Sequence, residues 1–336
     1  VDIMEVSVLC LAYNHEKYIK KCLDSILAQK TNFKYEIIIN DDASTDNTTN
    51  IIKEYEEKYP EIIKPIYQIE NKYSKGEAIV EEYMLPKATG KYIAFCECDD
   101  WWLSDDKLQK QYDYMELNDE CVLCGHNTLV HCINSHKKDM YFNDWKEIHT
   151  MTPREAFLEW KIHTSSFFMK KTDGYRLEFS RKYWFGDYVR LTELFINGKV
   201  VVLPYTMSQY NYGVKTGALY SADNTDIESR KENILQRKYY LEQLLTFKNS
   251  DKYSNIIKER IYHTELEAET ISEDTVLRNE MSSNREIRKA AYNILRKKEL
   301  KQYLNCLTIK HKIKTKIKYC MYIICPFIIK KRKGSM

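Results

Sequence analysis

Four short apolar runs alternate with helix-patterned stretches over the first hundred residues, and this alternation constrains the fold more than any other feature of the chain. Val6 to Ala12 is almost wholly apolar, as a parallel strand covered on both faces must be. Tyr18, Ile19, Cys22, Leu23, Ile26 and Leu27 then recur at three and four, which predicts a helix ending near Gln29. Tyr35 to Ile39 reads as a second strand. Ser44, Thr45 or Asp46 can cap a helix that runs to about Lys58, before Pro60. Ile62 to Tyr67 is a third strand, a helix is expected around Glu77 to Tyr83, and Tyr92 to Cys96 is a fourth strand. An order of βαβαβαβ implies an α/β fold, a parallel sheet wrapped by helices. Ligands of such sheets gather at the carboxyl ends of the strands.

Those carboxyl ends carry the unusual residues. Tyr13-Asn14-His15-Glu16 follows the first strand, Asp41-Asp42 the second, and Glu97-Cys98-Asp99-Asp100-Trp101-Trp102 the fourth. An Asp pair after a strand is often only a loop and a helix cap, but three acidic or polar clusters on one rim are a candidate site. VSVLCLAYNHEKYIKKCLDSILAQ, EIIINDDASTDNT and ATGKYIAFCECDDWW together resemble the inverting family-two nucleotide-sugar glycosyltransferases of GT-A fold, over about residues 5 to 118. The resemblance implies a GT-A type nucleotide-diphospho-sugar transferase sheet with a nucleotide pocket built by the first two loops. A DxD motif binding Mn²⁺ or Mg²⁺ would sit in the third.

By position, Ala12, Tyr13 and Asn14 would line the nucleotide, probed also by Cys98 and Asp99, and Asp42 would accept the ring N–H of the base. Glu97, Asp99 and Asp100 would take the metal. Glu stands at the first DxD position, so Asp99 and Asp100 are placed ahead of Glu97 as ligands. The chemistry agrees: a departing nucleoside diphosphate builds negative charge, and a divalent ion on hard carboxylate oxygens neutralises it. One of the two Trp residues is expected in the core and the other as core or acceptor platform.

Downstream, a helix is expected over Asp105 to Asn118. Cys121-Val-Leu-Cys-Gly-His126, with His131 and Cys132, invites a zinc reading, but the interleaved apolar residues favour a strand with buried thiols. Thr152 and Pro153 open a helix to Trp160, and His163 to Phe168 reads as a strand with a polar entrance. The resemblance puts His163 beside the acceptor. Gly186-Asp187 precedes an apolar-periodic helix and the strand Val200 to Leu203. The resemblance makes Asp187 the general base, while an Asp in that place is equally a preferred N-cap. The resemblance implies that Tyr210 to Gly217 is a flexible loop with Lys215 as its positive charge near the diphosphate, while a plain surface loop fits the same residues equally.

Charge separates the chain into contrasting parts. Residues 285–336 hold 16 Lys and Arg against Glu286 and Glu299, whereas residues 1–284 carry 11 more acidic than basic groups. From Asp223 the pattern is helical. Ile309, Ile313 and Ile317, flanked by lysines, have the make-up of an interfacial helix, so residues 300–333 are expected to engage an anionic membrane surface, a solvated helix or a basic flap on the acidic body being the alternatives. The longest apolar run, Tyr319 to Ile329, is about half of a span and contains Pro326. Ten scattered cysteines after an opening that goes straight into a strand pattern suit a reducing cytoplasm, so the expected place is the inner face of the cell membrane.

Three segments follow: 1–120, a nucleotide-sugar-binding half; 121–222, an acceptor-binding half; and 223–336, a mostly helical C-terminal extension with the basic tail. The expected function is metal-dependent, inverting transfer from a nucleotide diphosphate sugar, with UDP favoured, to a glycan or lipid-linked oligosaccharide. A nucleotidyltransferase would want a Gly-rich basic phosphate loop after the first strand, which Tyr13-Asn14-His15-Glu16 is not. The basic tail alone suggests a nucleic-acid-binding protein, but it has few aromatics and no accompanying motif, so no nucleic acid partner is expected.

Overall fold

The computed structural model describes residues 3–133, 138–171, 183, 185–214, 226–265 and 268. β1 (Met4–Ala12), β2 (Lys34–Asp41), β3 (Ile63–Tyr67) and β4 (Tyr92–Phe95) are the four expected strands, all parallel, with β1 between β2 and β4. α1 (Ile19–Leu27) and α2 (Thr48–Lys58) cross over between them. Ile19, Cys22, Leu23 and Ile26 of α1 are buried, as the three-and-four spacing requires. β4 lies tightly on β1 because Gly90 enters it without a side chain: a Cβ there would stand 2.5 Å from the backbone nitrogen of Ser7. Its N–H donates to Ser7 Oγ at 2.9 Å instead.

The sheet then continues as a mixed one. Its order is β3-β2-β1-β4-β9-β6-β10-β5, where β5 is Trp101–Trp102, β6 Cys121–Cys132, β9 Phe168–Lys170 and β10 Lys199–Tyr212. The short strands β7 (Met140–Tyr141) and β8 (His149–Thr150) pair with β6 and β10. β9 runs antiparallel to both β4 and β6, and β6 is parallel to β10. α3 (Lys107–Leu117), α4 (Pro153–Leu158) and α5 (Gly186–Asn197) complete the body. Thr152 closes α4 with a full capping box, its Oγ1 accepting from Glu155 N–H while Glu155 accepts from Thr152 N–H at 2.8 Å.

Several expectations differ from the structure. The helix expected at Glu77 to Tyr83 is a single π-turn, Val80–Met84. His163 to Phe168 is mainly a 3₁₀ turn, Thr164–Ser166, with the strand starting only at Phe168. Its three hydroxyls turn inward to separate partners, Thr164 to the Asp187 carboxylate, Ser165 to the Ser208 hydroxyl and Ser166 to the His163 carbonyl. β10 runs nine residues beyond Leu203, so Tyr210 to Tyr212 are strand and not loop. Pairing with β6 outweighs the polar sequence there. Asn47, not Ser44, Thr45 or Asp46, is the N-cap of α2, although Asp46 Oδ1 accepts from Thr48 N–H at 2.9 Å.

The chain divides into two compact units, Val1–Asn224 and Thr225–Met336. In the second, α6 (Ile227–Leu244) is capped by Asp226, whose side chain accepts from Ser229 N–H, and a helical stretch covers 254–265. Lys215 and the tail 300–333 lie outside the described residues.

Candidate active site

The loops after β1 and β2 are built as one piece. Asn14 adopts a left-handed φ of 56° and its Oδ1 accepts the Thr45 N–H at 2.7 Å, while Ala43 (φ 59°) turns the partner loop. Asn14 N–H donates to Ser44 Oγ, His15 N–H to Thr48 Oγ1, and Asn47 N–H to Glu16 Oε2. Ala12 is buried and its carbonyl accepts the Asp42 N–H at 2.9 Å; Tyr13 and Asn14 are half-exposed on the rim. Asp42 is buried, and its two carboxylate oxygens accept the backbone N–H groups of Lys72 and Tyr73 at 2.7 and 3.0 Å. The segment after β3 is therefore hung on Asp42, a role the sequence did not signal.

Glu97, Asp99 and Asp100 stand at the end of β4. Asp99 and Asp100 are buried and Glu97 is half-buried. Cys98 points the other way, fully buried among Cys10, Cys22 and Cys96, so its side chain cannot line a nucleotide; Cys22 and Cys96 have their Sγ atoms 3.7 Å apart. Burial first, then the charges of Asp99 and Asp187, push the Glu97 carboxyl up to about 8. Burial, then Asp99 and Glu97, hold Asp100 well above the usual carboxylate range. Asp100 Oδ1 accepts the Asn211 N–H at 2.9 Å, whereas buried Oδ2 has no hydrogen-bond partner.

α5 brings Asp187 to the same pocket. It does not cap the helix: Phe185 is the N-cap, without a side-chain bond, and Asp187 lies in the first turn. Burial raises its carboxyl despite the N–H of Tyr188, the nearby charge of Arg190 and the Thr164 hydroxyl at 3.4 Å. Arg190 pairs with Glu81 at 2.6 Å, both side chains almost fully buried, and its charge also acts on Glu97. Tyr73, whose phenol is raised by burial and then by the charges of Glu97 and Asp187, reaches the pocket from the Asp42 side.

His163 lies on the far wall, stacked on Tyr210 with ring centroids 4.2 Å apart. Its Nδ1 accepts the Ser165 N–H and meets the Ser165 hydroxyl, the first of a buried chain through Ser208 to Thr128. Burial depresses His163 to about 3, so it is neutral and its 3.8 Å approach to Asp100 is no ion pair. Both Trp101 and Trp102 are buried, with Lys21 Nζ 3.7 Å above the first ring and Lys107 Nζ 4.0 Å above the second. Neither provides an exposed platform. β6 is the expected strand, with Cys121, Cys124 and Cys132 buried in it, and among the described residues no group of three or more His, Cys, Asp or Glu is arranged to hold a metal ion by itself.

The pocket does suit a divalent ion that brings other ligands with it. Its carboxylates are hard oxygen donors, Glu97 and Asp100 are raised by burial and then by neighbouring carboxylate charge, and an unpartnered Asp100 oxygen lies among them. One or two protein carboxylates suffice where phosphates and water complete the shell. Arg190, Asn211, Tyr73 and His15 are the members that sequence reasoning missed. Only His15, inside a recognised polar cluster, carried a signal.

The Glycosyl transferase family 2 profile matches residues 7–177. Over 111 residues, a third of this chain and 41% of the relative, the sequence is 39% identical to the Escherichia coli UDP-Glc:alpha-D-GlcNAc-diphosphoundecaprenol beta-1,3-glucosyltransferase WfaP. Matches to the curated relatives at the head of the comparison cover about a third of those proteins' length. S. aureus TarS 1–349 in complex with UDP superposes with a TM-score of 0.58 at 15% identity, over 90% of this chain and 81% of that one. The mannosyltransferase PcManGT from Pyrobaculum calidifontis, in complex with GDP-Man and Mn²⁺, gives 0.53 at 14% identity, over 97% and 88%. The fold is thus the GT-A type that the sequence resemblance implied. Among the described residues no helix is long and apolar enough to cross a membrane.

Proposed function

The chain belongs to glycosyl transferase family 2, and from that premise we propose that it transfers a sugar, with inversion, from a UDP-sugar to a glycan or lipid-linked oligosaccharide in surface polysaccharide synthesis. The observation that carries this is the Glu97 carboxyl, raised first by burial and then by the charges of both Asp99 and Asp187, so that the acidic loop and the start of α5 act on one group. Ala12, Tyr13, Asn14 and Asp42 hold the nucleoside, and Asp99, with Asp100 Oδ2, would hold a Mn²⁺ or Mg²⁺. When bound, that ion supplies charge neutralisation at the departing diphosphate. Asp187 takes the proton of the acceptor hydroxyl, and its raised affinity for protons moves it toward the range a general base needs. One displacement follows, without a covalent intermediate, and His163 with Tyr210 forms the wall on the acceptor side.

The family membership and the likeness to a UDP complex support a nucleotide-sugar donor, and the E. coli relative's name supports a lipid-linked diphosphate acceptor. The charge of residues 300–333 supports attachment to the anionic inner face of the cell membrane. Lys215 is assigned to the diphosphate on sequence alone. The test is turnover of a panel of UDP- and GDP-sugars with Mn²⁺ or Mg²⁺, and NMR of the product's anomeric configuration. A UDP-sugar with an inverted product is expected; retention of configuration, or preference for a GDP-sugar, overturns that part of the reading.

A further inference from the structure

His15 has the backbone of a fixed residue and the side chain of an unfinished one. Its N–H donates to Thr48 Oγ1 at 2.8 Å, and its carbonyl accepts from Tyr18 and Ile19 at 2.9 Å, tying it to α2 on one side and to the start of α1 on the other. The residue is only 7% exposed, yet both ring nitrogens are buried without a hydrogen-bond partner. Buried polar atoms are nearly always paired, because burying one without a partner forfeits its hydrogen bonds to water. The nearest acidic group is Asp99, whose Oδ2 lies 3.9 Å from Nε2, just beyond hydrogen-bond reach.

We infer that His15 is a positioning residue for Asp99: its imidazole N–H would donate to one oxygen of that carboxylate and fix its orientation, leaving the other oxygen to hold a divalent ion. The inference rests on the proposed role of Asp99. A ligating carboxylate is normally hydrogen-bonded by an outer partner, and removing such a partner typically weakens metal binding 10- to 100-fold. Among the hydrogen bonds described for Asp99, its carbonyl is held by Asn211 Nδ2 at 2.6 Å, which places the backbone but leaves the carboxylate's rotation to be set by another group. His15 comes to that position from a loop already locked to the nucleotide pocket, so the ion's site and the nucleoside's are coupled through one residue.

The test is Mn²⁺ uptake in the presence of UDP, followed by electron paramagnetic resonance of the free ion, on the full chain and on His15→Ala, His15→Gln and Asp99→Asn. His15→Ala is expected to need roughly tenfold more Mn²⁺ for half-saturation. His15→Gln, which keeps an N–H donor, is expected to recover part of that loss, with UDP affinity in chelator unchanged. An unchanged Mn²⁺ requirement in His15→Ala, while Asp99→Asn loses the ion, overturns the inference and leaves the role of Asp99 standing. Loss of UDP affinity in chelator makes His15 a nucleotide contact and also overturns it. If the unaltered protein takes up no Mn²⁺ with UDP, the metal assignment fails first and this one with it.

Discussion

Asn211 clamps the acidic loop: its backbone N–H donates to Asp100 Oδ1 at 2.9 Å, and its side-chain amide to the Asp99 carbonyl at 2.6 Å. The two carboxylates therefore differ in their environment. Asp100 is anchored on the strand across the sheet, while Asp99 is clamped through its backbone. Asp99→Asn is expected to abolish transfer with little change in melting temperature, because an amide cannot balance ion and diphosphate charge. Asp100→Ala is expected to destabilise the protein by about 1–3 kcal/mol as well, by orphaning the Asn211 N–H. Equal melting temperatures for the two variants would contradict this division.

Asp187→Asn is expected to lower turnover by roughly a hundredfold to ten-thousandfold, the range for removal of a general base, with donor affinity retained. Since the Asp187 carboxyl is raised, the acid limb of the unaltered enzyme's pH–rate profile should lie above the ordinary carboxylate range. A collapse of donor affinity in isothermal titration would place Asp187 in the nucleotide pocket instead.

For Asp42→Ala two effects should appear together. The donor dissociation constant rises, and the segment held by the Lys72 and Tyr73 N–H groups loosens, at a cost of about 1 kcal/mol for a lost bond. Hydrogen exchange of those two amides, measured beside UDP binding, reads both. Unchanged exchange would remove the structural half of the prediction, and unchanged binding the functional half.

Lys107 is fully buried, with Nζ on Gln111 Oε1 at 2.8 Å, and burial lowers it to about 7. The unfolded chain keeps that lysine charged up to about pH 10.4. Between the two values the unfolded state binds more protons, so this residue makes stability rise with pH from about 7 to 10, with no contribution to the slope below 7. Urea unfolding of Lys107→Met should lack that rise; parallel curves for the two proteins would show that the ammonium is not desolvated as described.

Truncation after Glu299 removes most of the basic tail. It is expected to release the protein from anionic vesicles and slow transfer to lipid-linked acceptor, leaving donor hydrolysis nearly unchanged, because each Lys or Arg near such a surface is worth about 1 kcal/mol. High salt should act in the same direction. Vesicle binding that survives the truncation would refute attachment through the tail.

The four parallel strands, the rim on which the polar clusters sit and the Thr152 cap with Pro153 that opens α4 were legible in the sequence, because apolar periodicity and turn chemistry are local. Strand period, helix period and Thr152 with Pro153 each lie within one short window. Tertiary structure decided what depends on distant backbone coming into register. Pairing with β6 carried β10 out to Asn211 and so gave Asp100 its anchor, although the polar residues there read as a loop. Packing of α5 set Phe185 and not Asp187 at the cap, freeing that carboxylate to share a pocket with Glu97. Burial then set the protonation of Glu97, Lys107 and His163, since the cost of desolvating a charge depends on everything around it and not on its neighbours in the chain.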